Sequence, residues 1–181
     1  MKSTGKKLFY RFYDPADETF PWMLELFSRV PDALELREDA HLAPIPVEDE
    51  ASSLSAILLD DVYYRFIQDC KDMSFSITAV PPRGLIPLKA KAWLALSRIQ
   101  EEGEKINQRD IRKHKNDVFR LFQIIAPDTR LELPEVIAKD LNRFLTSVEA
   151  DPPQSLKPFG LGSMQVHEVT KTIRAIYQLG L

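Results

Sequence analysis

Apolar residues along this chain fall first in short runs and later in long helical stripes. Leu8-Phe9-Tyr10-Arg11-Phe12-Tyr13 is rich in aromatics and reads as a strand, and Trp22-Met23-Leu24-Glu25-Leu26-Phe27-Ser28 reads as a second. Asp14-Pro15-Ala16-Asp17-Glu18 is a loop between them, so the two strands can pair as an antiparallel hairpin with a long connection. Residues 30–53 hold three prolines and many acids, which predicts irregular chain with a short strand near Pro44–Val47. After the apolar run Ser55–Leu59, Asp60 and Asp61 offer an N-cap for a helix reaching about Cys70. A short carboxylate there can accept hydrogen bonds from the unpaired amides of the first turn. Phe75–Val80 is a third strand candidate, stopped by Pro81-Pro82.

The second half is patterned at helical spacing. Leu85, Leu88, Ala92, Leu96 and Ile99 make one stripe of a helix that opens at the proline pair and ends near Gly103. Ile111, Val118, Leu121, Phe122 and Ile125 make the stripe of a helix over 108–125, stopped by Pro127. A further helix is expected from Pro134 to Val148, where the missing proline amide costs nothing at a helix start. Asp151-Pro152-Pro153 breaks it, Lys157–Gly162 reads as a linker, and Ser163 can cap a last helix over 164–179. Strands followed by helices predict an α+β fold. The expected division is an α+β domain over 1–126 and a C-terminal helical appendage over 127–181.

Composition narrows the class. The 181 residues are 44% apolar and 28% charged, with a net charge of -3 and a pI near 5.7. A broad basic surface is therefore not expected, although a local patch is compatible with those totals. The single cysteine, Cys70, excludes an intrachain disulfide. No apolar run approaches the roughly 18 residues of a membrane span, and no signal-peptide core follows the basic N-terminus. The expectation is a cytoplasmic protein with no membrane partner.

A few polar residues stand out against the pattern. Glu25 sits mid-strand on the face of Met23 and Phe27, where it needs water, a cation or a hydrogen-bond partner. An edge position, or neutralisation by Arg11 across the hairpin, answers that need without any function. Lys89 lies beside the apolar stripe, one turn after Leu85; it reads as a phosphate-binding amine or as a snorkelling surface lysine. Asp117 can pair with Lys113 on its own helix, or orient Lys89 or a nucleotide from a neighbouring one. Arg109, Arg112, Lys113, His114 and Lys115 form the densest basic run, suited to phosphates or simply to solvent. His41, His114 and His167 lack zinc-ligand spacing, and Cys70 has no motif around it. Gly160-Leu161-Gly162-Ser163 before a helix can hold an anion or serve as linker and cap.

Several strings together resemble a known family. They are Ser3-Thr4-Gly5-Lys6-Lys7 leading to Tyr10-Arg11-Phe12, then Leu24-Glu25-Leu26-Phe27-Ser28-Arg29, Ala40–Val47 and Ser52–Leu58. The most specific are Leu85-Ile86-Pro87-Leu88-Lys89-Ala90-Lys91-Ala92-Trp93-Leu94 and Arg112-Lys113-His114-Lys115-Asn116-Asp117-Val118-Phe119-Arg120-Leu121. Over about residues 3–125 these resemble AbiEii-like bacterial nucleotidyltransferases of toxin–antitoxin systems. The resemblance implies a mixed β-sheet flanked by helices, followed by a helical region. It implies transfer of a nucleoside monophosphate from a nucleoside triphosphate to an acceptor, RNA or protein, with magnesium between acids and phosphates. By motif, Glu25 would be the metal-site carboxylate and Lys89 the lysine facing the triphosphate. Asp117 would be the first acid of the next helix motif, and Arg11, Arg112 and Lys113 candidate phosphate contacts.

The chain departs from the family pattern in two places. Arg120 stands where many members have a second acid. The Gly-Ser turn and Asp-x-Asp strand expected before Ser3 are absent, and Glu48-Asp49-Glu50 lies in the wrong context to replace them. The expectation is a nucleotidyltransferase-like protein that is weak or inactive in this form. The alternative is a non-catalytic binding or assembly module, with an exposed sheet edge that favours a homo-oligomer.

Overall fold

The computed structural model describes residues 11–21, 23–25, 60–74 and 77–180. The chain forms two compact units, 1–46 and 47–181. The expectations for residues 30–53 and 55–59, for His41 and for Glu48-Asp49-Glu50 lie outside the described residues.

In the first unit, β1 (Arg11–Tyr13) pairs antiparallel with β2 (Met23–Glu25), as the hairpin reading expects. The register sets Arg11 opposite Glu25 and Tyr13 opposite Met23. The connection is shaped by Asp14 at φ 59° and by Asp17, whose Oδ1 accepts from the Thr19 amide at 2.9 Å and hydroxyl at 2.7 Å.

The second unit is mostly helical. Asp60 caps α1 (Asp61–Cys70), its Oδ1 accepting from the Val62 and Tyr63 amides at 2.9 and 3.2 Å. A tight ribbon follows, β3 (Asp72–Ser74) antiparallel to β4 (Ile77–Ala79). The expected strand over Phe75–Val80 is thus β4, and its partner β3 has no apolar alternation to announce it. Pro82 opens α2 (Pro82–Glu101), Asn107 caps α3 (Gln108–Phe122), and Pro134 precedes α4 (Glu135–Ala150). A single 3-10 turn (Lys157–Phe159) leads to α5 (Val166–Ile176). The class is α+β, dominated by helices, and the described strands form two separate two-stranded antiparallel pairs. Among the described residues no helix is long and apolar enough to cross a membrane.

α2 is the central element, packed against α1, α3 and α4. One buried stripe is therefore not enough, and it buries Ile86, Pro87 and Ala90 as well as Leu88, Ala92 and Leu96. Gly84 lets its first turn approach closely, since a Cβ there would meet Val80 Cγ1 at 2.9 Å and Cys70 Cβ at 3.3 Å.

The C-terminal segment is no appendage to this core. Leu141, Phe144 and Leu145 of α4 and Val169, Ile173 and Ile176 of α5 share one apolar cluster with Tyr63, Ile86 and Phe119. The unit boundary falls at residue 46, whereas the sequence reading divides the chain at 126. Lys157–Gly162 is likewise more than a linker. Phe159 and Leu161 are buried, and the Phe159 ring stacks on Phe119 with centroids 5.4 Å apart. Gly160 suits the turn there, because its φ of 73° is a left-handed conformation that side-chain-bearing residues rarely adopt. The last helix starts two residues later than expected, at Val166 rather than Met164. Gln165, not Ser163, holds the N-cap, because the Glu168 carboxylate accepts from the Gln165 amide at 2.6 Å.

Candidate functional site

The antiparallel packing of α2 on α3 brings two of the singled-out residues together. Lys89 flanks the buried stripe of α2, and its side chain is only 16% exposed. Its Nζ lies 3.0 Å from Oδ2 of Asp117 on α3, itself 18% exposed. The other carboxylate oxygen, Oδ1, accepts from Arg120 Nη1 at 2.9 Å, one turn further along α3. Asp117 thus faces α2, and Lys89 and Arg120, rather than Lys113, are its partners. The Arg120 guanidinium also lies 5.6 Å from the centre of the Phe159 ring. One carboxylate between two cations leaves one surplus positive charge, with Lys89 and Asp117 shielded and the Arg120 side chain 53% exposed.

His114 completes the group. It lies one turn before Asp117, is buried, and its Nδ1 has no hydrogen-bond partner. Burial first, then the charges of Lys89 and Lys113, push its pKa down to about 4 against the opposing pull of Asp117 and Asp110. The imidazole is neutral at pH 7. Sequence reading treated this histidine as one of three without metal spacing and as a member of the basic run over 109–115, not as a buried group. The signal that finds it is periodicity: Ile111, His114 and Val118 fall on one helical face. A buried polar atom without a partner is uncommon in native proteins and asks for an explanation.

A second lysine two residues away makes the opposite arrangement. Lys91 Nζ lies 2.7 Å from Asp140 Oδ2 on α4, and the same oxygen accepts from the Tyr63 hydroxyl at 2.9 Å. The ammonium also sits 5.4 Å from the Tyr63 ring centre. Burial, then the Asp140 charge, hold the Tyr63 phenol far above its ordinary range, so it remains a donor. Charge is balanced there and every named polar group has a partner.

Beside these contacts a cleft of about 750 Å³ opens between α2, α3 and the loop after α4. Trp93, Ser97, Arg112, Lys115 and Asn116 line it. Lys115 is tied across to that loop, donating to the Asp151 carbonyl at 2.9 Å and carboxylate at 2.8 Å.

The remaining sequence candidates do not join the Lys89 group within the second unit. Arg11 and Glu25 belong to the first unit, where their backbones are paired. Arg112 and Lys113 are exposed on α3. His167 is exposed on α5, and Cys70 is a buried helix residue whose thiol is pushed up by burial. Among the described residues no three His, Cys, Asp or Glu side chains come together as metal ligands. The donor set at Asp117 does not fit magnesium, because two cations already share its carboxylate. That set suits an anion instead. No family model, curated protein or solved structure matches the chain.

Proposed function

We propose that this chain is a nucleotidyltransferase-like protein whose Lys89, Asp117 and Arg120 group receives the triphosphate of a nucleoside triphosphate. Transfer of the nucleoside monophosphate to an acceptor is weak or absent in this form. The observation that carries the reading is the meeting of Lys89 and Asp117 at 3.0 Å. Motif resemblance names the same two residues as one site, although 28 positions separate them in sequence, from 89 to 117. The surplus positive charge left by Arg120 supports the preference for an anion. The substitution of Arg120 for an acid, and the cations around Asp117, argue against a competent metal-assisted transfer site in this chain alone.

The test is thermal melting of the pure chain with each nucleoside triphosphate in turn, followed by incubation with labelled nucleotide, magnesium, RNA and protein. A ligand that binds the folded state raises its stability, by about 2.7 kcal/mol at a hundredfold excess over Kd. The reading expects stabilisation that Lys89→Met abolishes, with little label transferred. Absence of stabilisation by all four triphosphates contradicts the binding site, and robust transfer contradicts the weak activity.

One observation favours a second reading, a non-catalytic assembly module of a toxin–antitoxin system. Among the described residues β3 and β4 form an isolated ribbon, and Met73 on β3 is 81% exposed. Such an edge is open to pairing with another chain. A dimer in light scattering that Met73→Lys dissociates supports this reading, and a strict monomer counts against it.

A further inference from the structure

The outward face of α3 carries three cations, Arg109, Arg112 and Lys113, that the triphosphate reading does not use. Arg109, Arg112, Lys113, Asn116 and Arg120 fall within an arc of about 100° on the helical wheel. The two acids of α3, Asp110 and Asp117, fall outside that arc, and Asp117 is already held by Lys89 and Arg120. Arg109, Arg112 and Lys113 are exposed, and among the described residues no ion pair takes any of them. In a chain of net charge -3 this stripe is a local reversal of sign.

The stripe runs along the edge of the cleft. Arg112 and Asn116 belong to both. Trp93 lines the cleft half-buried, and its ring is fixed edge-on against Phe144, with centroids 5.4 Å apart at 77°. Of the two acids in the lining, Asp151 is paired with Lys115 at 2.8 Å, which leaves Glu101 as the one without an ion-pair partner. A fixed aromatic ring beside a row of unpaired cations matches the two demands of a single nucleic-acid strand. Cations meet its phosphodiesters, and the ring meets a base that pairing does not hide.

We infer that the outward face of α3 and the adjoining cleft bind single-stranded nucleic acid. Arg109, Arg112 and Lys113 contact the backbone, and Trp93 stacks with a base. This does not rest on the triphosphate site: Lys89 and Asp117 lie off the stripe, and Arg120, which borders both, is not among the proposed contacts.

The test uses the full chain and fluorescently labelled twelve-residue oligo-uridine and oligo-thymidine, followed by anisotropy between 50 and 200 mM salt. Both are expected to bind, since neither contact reads the 2′-hydroxyl. Displacing counterions at three phosphates gives a log–log salt slope of about -2. The exposed triple variant Arg109→Gln/Arg112→Gln/Lys113→Gln, checked for an unchanged melting profile, should lose at least tenfold in affinity at 50 mM salt. Trp93→Phe keeps an aromatic ring on Phe144 and should abolish the fluorescence quench that a stacked base produces in the parent chain. The inference is overturned if neither oligonucleotide binds at 50 mM salt, or if the triple variant binds unchanged. It is also overturned if poly-glutamate of equal charge competes as well as the oligonucleotide, which marks an acidic-peptide surface, or if a duplex binds as tightly as a single strand.

Discussion

Lys89 and Lys91 stand two residues apart on α2, and each crosses to a carboxylate on a neighbouring helix. Lys91 meets Asp140 in a closed set: one cation, one anion, and a phenol that donates to the same oxygen. Lys89 meets Asp117 in an open set: a second cation shares the carboxylate, and a buried imidazole beside it has a nitrogen with no partner. The same ion-pair chemistry on one helix thus makes a clamp in one case and a site with charge to spare in the other. The difference lies in stoichiometry, not in distance, since the two pairs close to 2.7 and 3.0 Å.

The clamp is where a deletion should cost most. Asp140→Ala leaves the Tyr63 hydroxyl in the core without its acceptor and Lys91 without its anion. The expected loss is about 2 kcal/mol, reduced from the fully buried case because Lys91 and Asp140 are 31% and 22% exposed. Urea denaturation of the variant measures it, and a loss below about 0.5 kcal/mol would remove the contrast between the two lysines.

The open set should announce itself through pH. The His114 pKa is about 4 in the folded chain against an ordinary 6.5, so between those values the unfolded state binds the extra proton. Stability conferred by the neutral imidazole is therefore complete above about pH 6.5 and falls away as pH drops toward 4. From pH 7.5 to pH 5 the His114 contribution should fall by about 2 kcal/mol. His114→Leu should flatten that part of the pH–stability curve, and parallel curves for parent and variant would contradict the burial of a neutral imidazole.

The smallest effect on stability is expected from Lys89 itself. Lys89→Met leaves Asp117 with Arg120 and relieves His114 of a repelling neighbour, so unfolding should change by less than in Asp140→Ala, by about 1 kcal/mol or less. In the same variant the His114 pKa should rise, as imidazole proton shifts in an NMR titration would record. A large destabilisation would make Lys89 a second clamp and erase the distinction.

Much of the helical scaffold was legible because its punctuation is chemical. Asp60, Pro82 and Pro134 announce helix starts that do not depend on what packs against them. Burial was less legible, because it depends on how many neighbours a helix has. α2 lies among three helices and buries Ile86 and Ala90 outside its evident stripe. Phe159 and Leu161 look like linker residues until α3 supplies a ring to stack on. At the candidate site, motif resemblance selected Lys89 and Asp117, while local spacing left Lys113 open as a partner of Asp117 as well. Only the packing of α2 on α3 decides between them. His114 and Arg120 acquire meaning from the same packing, one as a buried neutral ring and the other as the cation in excess.

Calorimetric titration of inorganic tripolyphosphate into the parent chain, Lys89→Met and Lys91→Met bears most directly on this asymmetry. Binding by the parent and by Lys91→Met, and its loss in Lys89→Met, is the result expected from a surplus charge at Asp117. Equal binding by all three proteins, or none by the parent, would contradict it.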